Sequence, residues 1–194
     1  MPRIIAGRAK GRRFPAPPGE RTRPTSDRVR ESLFNAVVDW ADTVDADPAD
    51  ALEGIAWLDL YSGSGAVAME AASRGADPVV AVEADRRTAR MIETSAQSLD
   101  LRLRVVTQKV ETHVAAAPRP MDVVWADPPY DQSSDALDDI LTSLTRGWLA
   151  RTALVVLERD DRAPAPQWPE GFTQTWERRY GGTVLYFGHW EETP

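Results

Sequence analysis

Ile55-Ala-Trp-Leu-Asp-Leu60, Tyr61-Ser-Gly-Ser-Gly65 and Ala66-Val-Ala-Met-Glu-Ala-Ala72 form one continuous stretch, and its reading decides the fold. The first segment is apolar except for Asp59 and reads as a buried strand. The second is a glycine-rich turn and the third an alanine-rich helix. Glycines at 63 and 65 allow a tight turn and let a ligand approach the helix N-terminus with no Cβ in the way. The third position of the fingerprint is Ala68. The next apolar run, Pro78-Val-Val-Ala-Val82, ends in Glu83, 20 residues after Gly63. An acid at that strand tip is placed to hydrogen-bond the hydroxyls of a ribose. Taken alone, the unit is equally at home in a dinucleotide-binding domain or in a structural βαβ repeat.

Outward from this unit the alternation continues. Strands are expected at 55–60, 78–83, 102–107, 121–126 and 153–158, with helices at 65–74, 85–98, 110–116 and 134–146. Alternating elements of this kind imply a parallel sheet with helices on both faces. Ser26 can cap an earlier helix reaching Trp40, with Val29, Leu33, Val37 and Trp40 as its apolar stripe. Residues 41–54 read as an acidic, solvated connection. Beyond the proline-rich loop 163–169, segments 172–180 and 183–189 read as two strands around Gly181-Gly182. A chain of 194 residues with 42% hydrophobic residues suits one core. No apolar run is long enough for a membrane helix, and the N-terminus lacks a secretory pattern, so a cytoplasmic location is expected. There are no cysteines, and His113 and His189 are isolated, so no metal site is expected. The same absence removes ring methylation at pyrimidine C5, which needs a cysteine nucleophile.

The fourth expected strand, Met121-Asp-Val-Val-Trp-Ala126, runs into Asp127-Pro128-Pro129-Tyr130. A carboxylate, a stiff carbonyl-rich turn and an aromatic ring suit a planar base bearing an exocyclic amine. The lone pair of such an amine is delocalised into the ring. Hydrogen bonds from its two hydrogens to the Asp127 carboxylate and the Pro128 carbonyl favour a pyramidal nitrogen that can attack a methyl group. Proline fixes the turn, and Tyr130 offers a face for stacking an extruded base. The bland alternative is a surface turn, for which Asp-Pro-Pro is also good chemistry.

Glycine loop, acidic strand tip and Asp-Pro-Pro-Tyr, in that order, resemble the class I S-adenosylmethionine-dependent methyltransferases that act on exocyclic amines. Further motifs sharpen the likeness: Arg3-Ile-Ile-Ala-Gly7, Lys10-Gly-Arg12-Arg13, the run from Arg23-Pro-Thr25 through Arg28 and Arg30 to Asn35, and Tyr180-Gly-Gly-Thr183-Val-Leu185. With them the chain is similar to the bacterial family that methylates N2 of a guanine in small-subunit (16S) ribosomal RNA, from residue 3 to about residue 187. The resemblance implies an α/β, Rossmann-like class I methyltransferase. Its seven-stranded, mostly parallel sheet is closed by an antiparallel C-terminal hairpin and preceded by a small N-terminal β-hairpin extension. It implies S-adenosylmethionine as methyl donor, held by Asp59, Tyr61, Gly63, Gly65, Glu83, Val110 and Asp127. It implies Asp127, Pro128 and Tyr130 as the catalytic set, and small-subunit rRNA in an assembling particle as partner.

Charge is divided along the chain. Residues 1–30 carry nine Lys/Arg against two Asp/Glu, and the rest carries fourteen against twenty-eight, for a net −7 overall. A basic arm on an acidic body suggests that the polyanion is held by the N-terminal segment. Residues 1–25 are accordingly read as an RNA-binding extension and 26–194 as the methyltransferase domain. Arg3, Lys10, Arg12, Arg13 and Arg23 are the arm's candidate RNA contacts, with Pro129 and Tyr130 at the base. Alternatives left open are a DNA adenine or cytosine amine methyltransferase and a non-catalytic RNA-binding assembly factor. Glu158, at the end of the fifth expected strand, is read as structural.

Overall fold

In a computed structural model, residues 1–17 and 25–192 are described. The helices are α1 (Asp27–Trp40), α2 (Ala66–Ser73), α3 (Arg86–Ser98), α4 (Val110–Val114) and α5 (Ser134–Leu144). The strands are β1 (Trp57–Leu60), β2 (Val79–Glu83), β3 (Arg104–Thr107), β4 (Met121–Ala126), β5 (Leu149–Asp160), β6 (Phe172–Tyr180) and β7 (Thr183–Glu191). They form one sheet in the order β3-β2-β1-β4-β5-β7-β6. Neighbours from β3 to β5 pair in parallel, and β7 is antiparallel to both β5 and β6.

The core follows from the two-residue repeat of a strand. Trp57, Val79, Ala81, Val123, Trp125, Leu154, Val156, Leu185 and Phe187 face one side, against α1, α2 and α3. Leu58, Leu60, Val80, Val82, Val124, Ala126, Val155, Leu157, Val184 and Tyr186 face the other, against α4 and α5. Both faces are covered, which is why the parallel strands read as continuous apolar runs. Phe34 of α1 stacks on Trp57 at 5.2 Å between centroids. Ser26 caps α1 by accepting the Val29 N–H at 3.2 Å, and Asp85 caps α3 through Arg87 and Thr88.

Element ends shift where packing overrides pattern. β5 begins at Leu149 rather than 153, its first residue pairing with Met121 before the register slips. β3 starts at Arg104 rather than 102, and α4 ends at Val114 rather than 116. The acidic stretch 41–54 is not wholly solvated. Its acids are exposed, but Ala51 and Leu52 are buried, and the Thr43 hydroxyl donates to the Ala51 carbonyl at 2.7 Å.

The N-terminal arm makes a small antiparallel turn, with one bridge between Arg3 and Arg13. Ile4, Ala9 and Phe14 are buried in the same cluster as α1 and α2. The buried Glu70 of α2 accepts the N–H groups of Ile5 at 2.7 Å and Ala6 at 2.9 Å, and Arg74 Nε at 3.0 Å. Ser73 Oγ donates to the Ala6 carbonyl and accepts the Ala9 N–H. Gly7 passes so close that a Cβ there would lie 1.9 Å from the Ser73 carbonyl oxygen. No larger residue fits this crossing.

Candidate active site

Ligands of open α/β sheets bind beyond the carboxyl ends of the parallel strands, and five strand ends meet here around one cavity of about 770 Å³. Its walls come from Tyr61 and Gly63 after β1, Glu83 and Ala84 at the tip of β2, Gln108–Glu111 after β3, Asp127–Gln132 after β4, and Glu158 near the end of β5. The volume falls in the range of nucleotide-sized sites.

The glycine loop is held in shape by two acids. Asp59, buried at the end of β1, accepts the Ala68 N–H of α2 at 2.8 Å through Oδ2. Its Oδ1 has no partner among the described residues. Burial pushes this carboxyl up to about 8, against the pull of the Ala68 hydrogen bond. Glu83 spans the loop, its Oε2 accepting the Gly63 N–H at 2.9 Å and its Oε1 the Asp85 N–H at 2.8 Å. Tyr61 sits at φ 60°, a strained position for a tyrosine. Its hydroxyl is buried and unpartnered among the described residues. Burial and the Glu111 carboxylate raise its pKa.

Asp127 lies beside Glu158, because Ala126 pairs with Leu157 in the sheet. Its carboxyl is raised well above the ordinary range, first by burial, then by the charges of Glu158 and Asp59, with Arg159 opposing. The Asp127 side chain makes no hydrogen bond among the described residues, so its oxygens remain available. Pro128 is buried, Pro129 is exposed, and the Tyr130 ring stands 67% exposed at the cavity mouth. An exposed aromatic ring beside an unpaired carboxyl is a surface for a flat, amine-bearing base.

The cavity thus gathers Tyr61, Gly63, Glu83, Val110, Asp127, Pro128, Pro129 and Tyr130. Asp59 and Gly65 are not among its lining. Asp59 acts on the loop from beneath, and Gly65, at φ 74°, packs against Ile92. The arm residues Arg3, Lys10, Arg12 and Arg13 do not line it either. Arg3 pairs with Asp27 at 3.0 Å, and Arg12 donates to the Leu99 carbonyl at 2.9 Å and to that of Ser98. Lys10 and Arg13 are exposed. Arg23 lies outside the described residues.

The sequence reading missed Glu158. It stands next to Asp127 and takes a hydrogen bond from the Thr25 hydroxyl at 2.9 Å. The available signal was its position, an acid at the carboxyl end of the strand adjoining β4. His113 packs on Trp148, and His189 accepts from Trp40 Nε1, both as structural groups.

A sheet in the order 3-2-1-4-5-7-6 with an antiparallel β7, a glycine loop after β1 and an acid at the tip of β2 defines a class I methyltransferase fold. The model of the family described as conserved hypothetical protein 95 matches residues 2–189, and the chain belongs to that family. It is 33% identical to ribosomal RNA small subunit methyltransferase D of Escherichia coli, over 95% of this chain and 87% of that protein. The solved structure of an Escherichia coli protein assigned as a methyltransferase superposes with a TM-score of 0.82, at 29% identity over 98% of both chains. A Thermus thermophilus 16S rRNA N2 methyltransferase, solved with AdoMet and guanosine, shares the fold at a TM-score of 0.69 and 18% identity, covering 90% of this chain and 46% of that one.

S-adenosylmethionine is the cofactor of this fold class, and the residues fit it. Glu83 presents a carboxylate to the cavity at the tip of β2, and the cavity is wide enough for a nucleoside. The acids Glu83 and Glu111 line a space that favours a cation over an anion.

Proposed function

We propose that this chain transfers a methyl group from S-adenosylmethionine to the exocyclic N2 amine of a guanine in small-subunit ribosomal RNA. Methylation of that RNA is the activity in the name of its Escherichia coli relative. The observation that supports the amine chemistry is the half-buried Asp127 carboxyl, without a hydrogen bond among the described residues, beside an exposed Tyr130 ring at the mouth of the cavity. The cofactor supplies an electrophilic methyl on sulfur. Glu83 and the loop through Gly63 hold its nucleoside, with Tyr61 and Val110 as further walls and Asp59 bracing the loop. Asp127 and the Pro128 carbonyl accept the two amine hydrogens and free the nitrogen lone pair. Tyr130 and Pro129 hold the base, which is flipped out or already unpaired. A positive charge in the cavity favours the ionised form of Asp127, so ligand binding prepares the acceptor that the amine needs.

The arm, residues 1–25, is the proposed site of RNA backbone contact. Lys10 and Arg13 are exposed there, while Arg3 and Arg12 are partly engaged in holding the arm. Arg23 belongs to the same basic segment. The substrate is an assembling small-subunit particle, in the cytoplasm, with no metal needed because the cofactor itself brings the electrophile.

The test is methyl transfer from radiolabelled S-adenosylmethionine to unmethylated small-subunit particles, naked rRNA and duplex DNA, followed by nucleoside analysis. N2-methylguanosine is the expected product. Label in DNA adenine or cytosine would keep the chemistry and replace the substrate. Cofactor binding without transfer to any of the three would leave a non-catalytic assembly factor.

A further inference from the structure

Two cavities meet around Asp127-Pro-Pro-Tyr, a third opens on the other side of Glu158, and Glu158 lines all three. One is the large cavity above. A small one lies between the motif, Arg159, Ala163 and Thr183. A third, of about 240 Å³, opens between Arg28 of α1, Glu158 and the β6–β7 turn at Tyr180-Gly181. The pairing of Ala126 with Leu157 places Asp127 and Glu158 at neighbouring strand ends. The Thr25 hydroxyl, 2.9 Å from Glu158 Oε2, fixes the carboxylate's orientation from the N-terminal side of α1.

We propose that Glu158 selects guanine, by accepting the ring N1–H that adjoins the amine accepted by Asp127. This rests on the guanine-N2 reading above. The chemistry of the bases supplies the discrimination. Beside its exocyclic amine, guanine carries a protonated ring nitrogen, a second donor. Adenine and cytosine carry a bare ring nitrogen there, an acceptor. Two carboxylates side by side match two adjacent donors. Against adenine or cytosine, one of them faces a lone pair, and both groups lose their hydrogen bonds on leaving water. A site with Asp127 alone would bind any amine-bearing base. Adding Glu158 makes it specific. Once ionised, the two acids repel each other, and a base that donates to both relieves that repulsion.

The test is a double-mutant cycle between enzyme and base. The full-length chain with S-adenosylmethionine first labels unmethylated small-subunit particles, and the target guanine is mapped. Particles are then rebuilt with 2-aminopurine, which keeps the amine but has no N1–H, at that nucleotide. The wild-type chain should lose about 10–100-fold in kcat/KM on the 2-aminopurine particles, the weight of one hydrogen bond to a charged group. Glu158→Ala should lose a similar factor on guanine and little more on 2-aminopurine, so that the two changes are not additive. Its affinity for S-adenosylmethionine should stay within about threefold of wild type. Glu158→Gln, whose amide oxygen can still accept, should recover part of the loss. Independent losses, or a Glu158→Ala variant as active as wild type, would overturn the proposal. Should both variants fail to fold, a wild-type chain indifferent to 2-aminopurine would overturn it alone. Label on any nucleoside other than N2-methylguanosine sinks the guanine reading itself. N2-methylguanosine with additive losses sinks the role of Glu158 and leaves that reading standing.

Discussion

Glu70 is a buried acid under the arm and Asp127 a half-buried one at the strand mouth, and they are treated in opposite ways. Glu70 accepts two backbone N–H groups and the Arg74 guanidinium, so its desolvation is compensated. Asp127 accepts nothing among the described residues, and neighbouring acids push its pKa higher still. A buried polar group costs free energy unless paired, so the two regions differ in what the carboxylate is for. At the arm it joins chain to chain. At the mouth its pairing is left for a ligand.

That contrast predicts its largest effect at Asp127. Asp127→Ala should lower kcat for methyl transfer by about 10²–10³-fold, the usual scale for removing one group that stabilises developing charge. Binding of S-adenosylmethionine, measured by calorimetry, should change little. A variant with ordinary turnover would remove Asp127 from the chemistry.

At the arm the loss falls on stability instead. Glu70→Ala leaves the Ile5 and Ala6 N–H groups and Arg74 without their acceptor, and takes away a charge that steadies the buried Arg30. Breaking a buried pair in this way costs about 3–5 kcal/mol. Urea unfolding should show it, with the first fifteen residues becoming sensitive to protease. A variant as stable as wild type would mean that the arm is only loosely attached.

The strand mouth was largely legible in the sequence and the arm was not, for a physical reason. Gly63, Glu83 and Asp127 sit at the ends of apolar runs, where short-range pattern fixes both strand and position. The seven strands and their two faces follow from the same alternation. Glu70 lies mid-helix in an alanine-rich run, and apart from Arg74 its partners are more than sixty residues away. Nothing local distinguishes it from a solvated acid. Glu158 was hidden similarly, since its significance comes from the β4–β5 pairing and from Thr25, 133 residues earlier in the chain. The arm's basic character was legible. That Arg3 and Arg12 also fasten it to the body was not.

Glu83 stands between the two extremes. Both its oxygens are bonded, yet only to N–H groups of the loop and strand tip it borders, and it faces the cavity. Glu83→Ala should weaken S-adenosylmethionine binding by about 10–100-fold, equivalent to one or two hydrogen bonds to a charged group. Turnover at saturating cofactor should be less affected. A loss confined to turnover would place Glu83 in the chemistry and not in cofactor binding.

Asp59 gives the finest test of the comparison, because half of it belongs to each class. Oδ2 is paired with Ala68 and Oδ1 is not. Its folded-state pKa of about 8 lies above the ordinary aspartate value of 3.8, so between those values the native chain holds a proton that the unfolded chain releases. Stability contributed by this group is therefore present below pH 4 and lost as pH rises toward 8. The limiting slope is about 1.4 kcal/mol per pH unit. Asp59→Asn keeps an oxygen for the Ala68 N–H and cannot ionise. Urea midpoints measured from pH 5 to 8 should fall less steeply for the variant than for wild type. Saturating S-adenosylmethionine should flatten the wild-type slope, since a cation beside the acids favours their ionised forms, and should leave the variant's slope less changed. Parallel slopes in the two proteins would mean that Asp59 is ionised in the native state and satisfied by solvent at Oδ1. It would then belong with Glu70 among the acids that only hold the fold together.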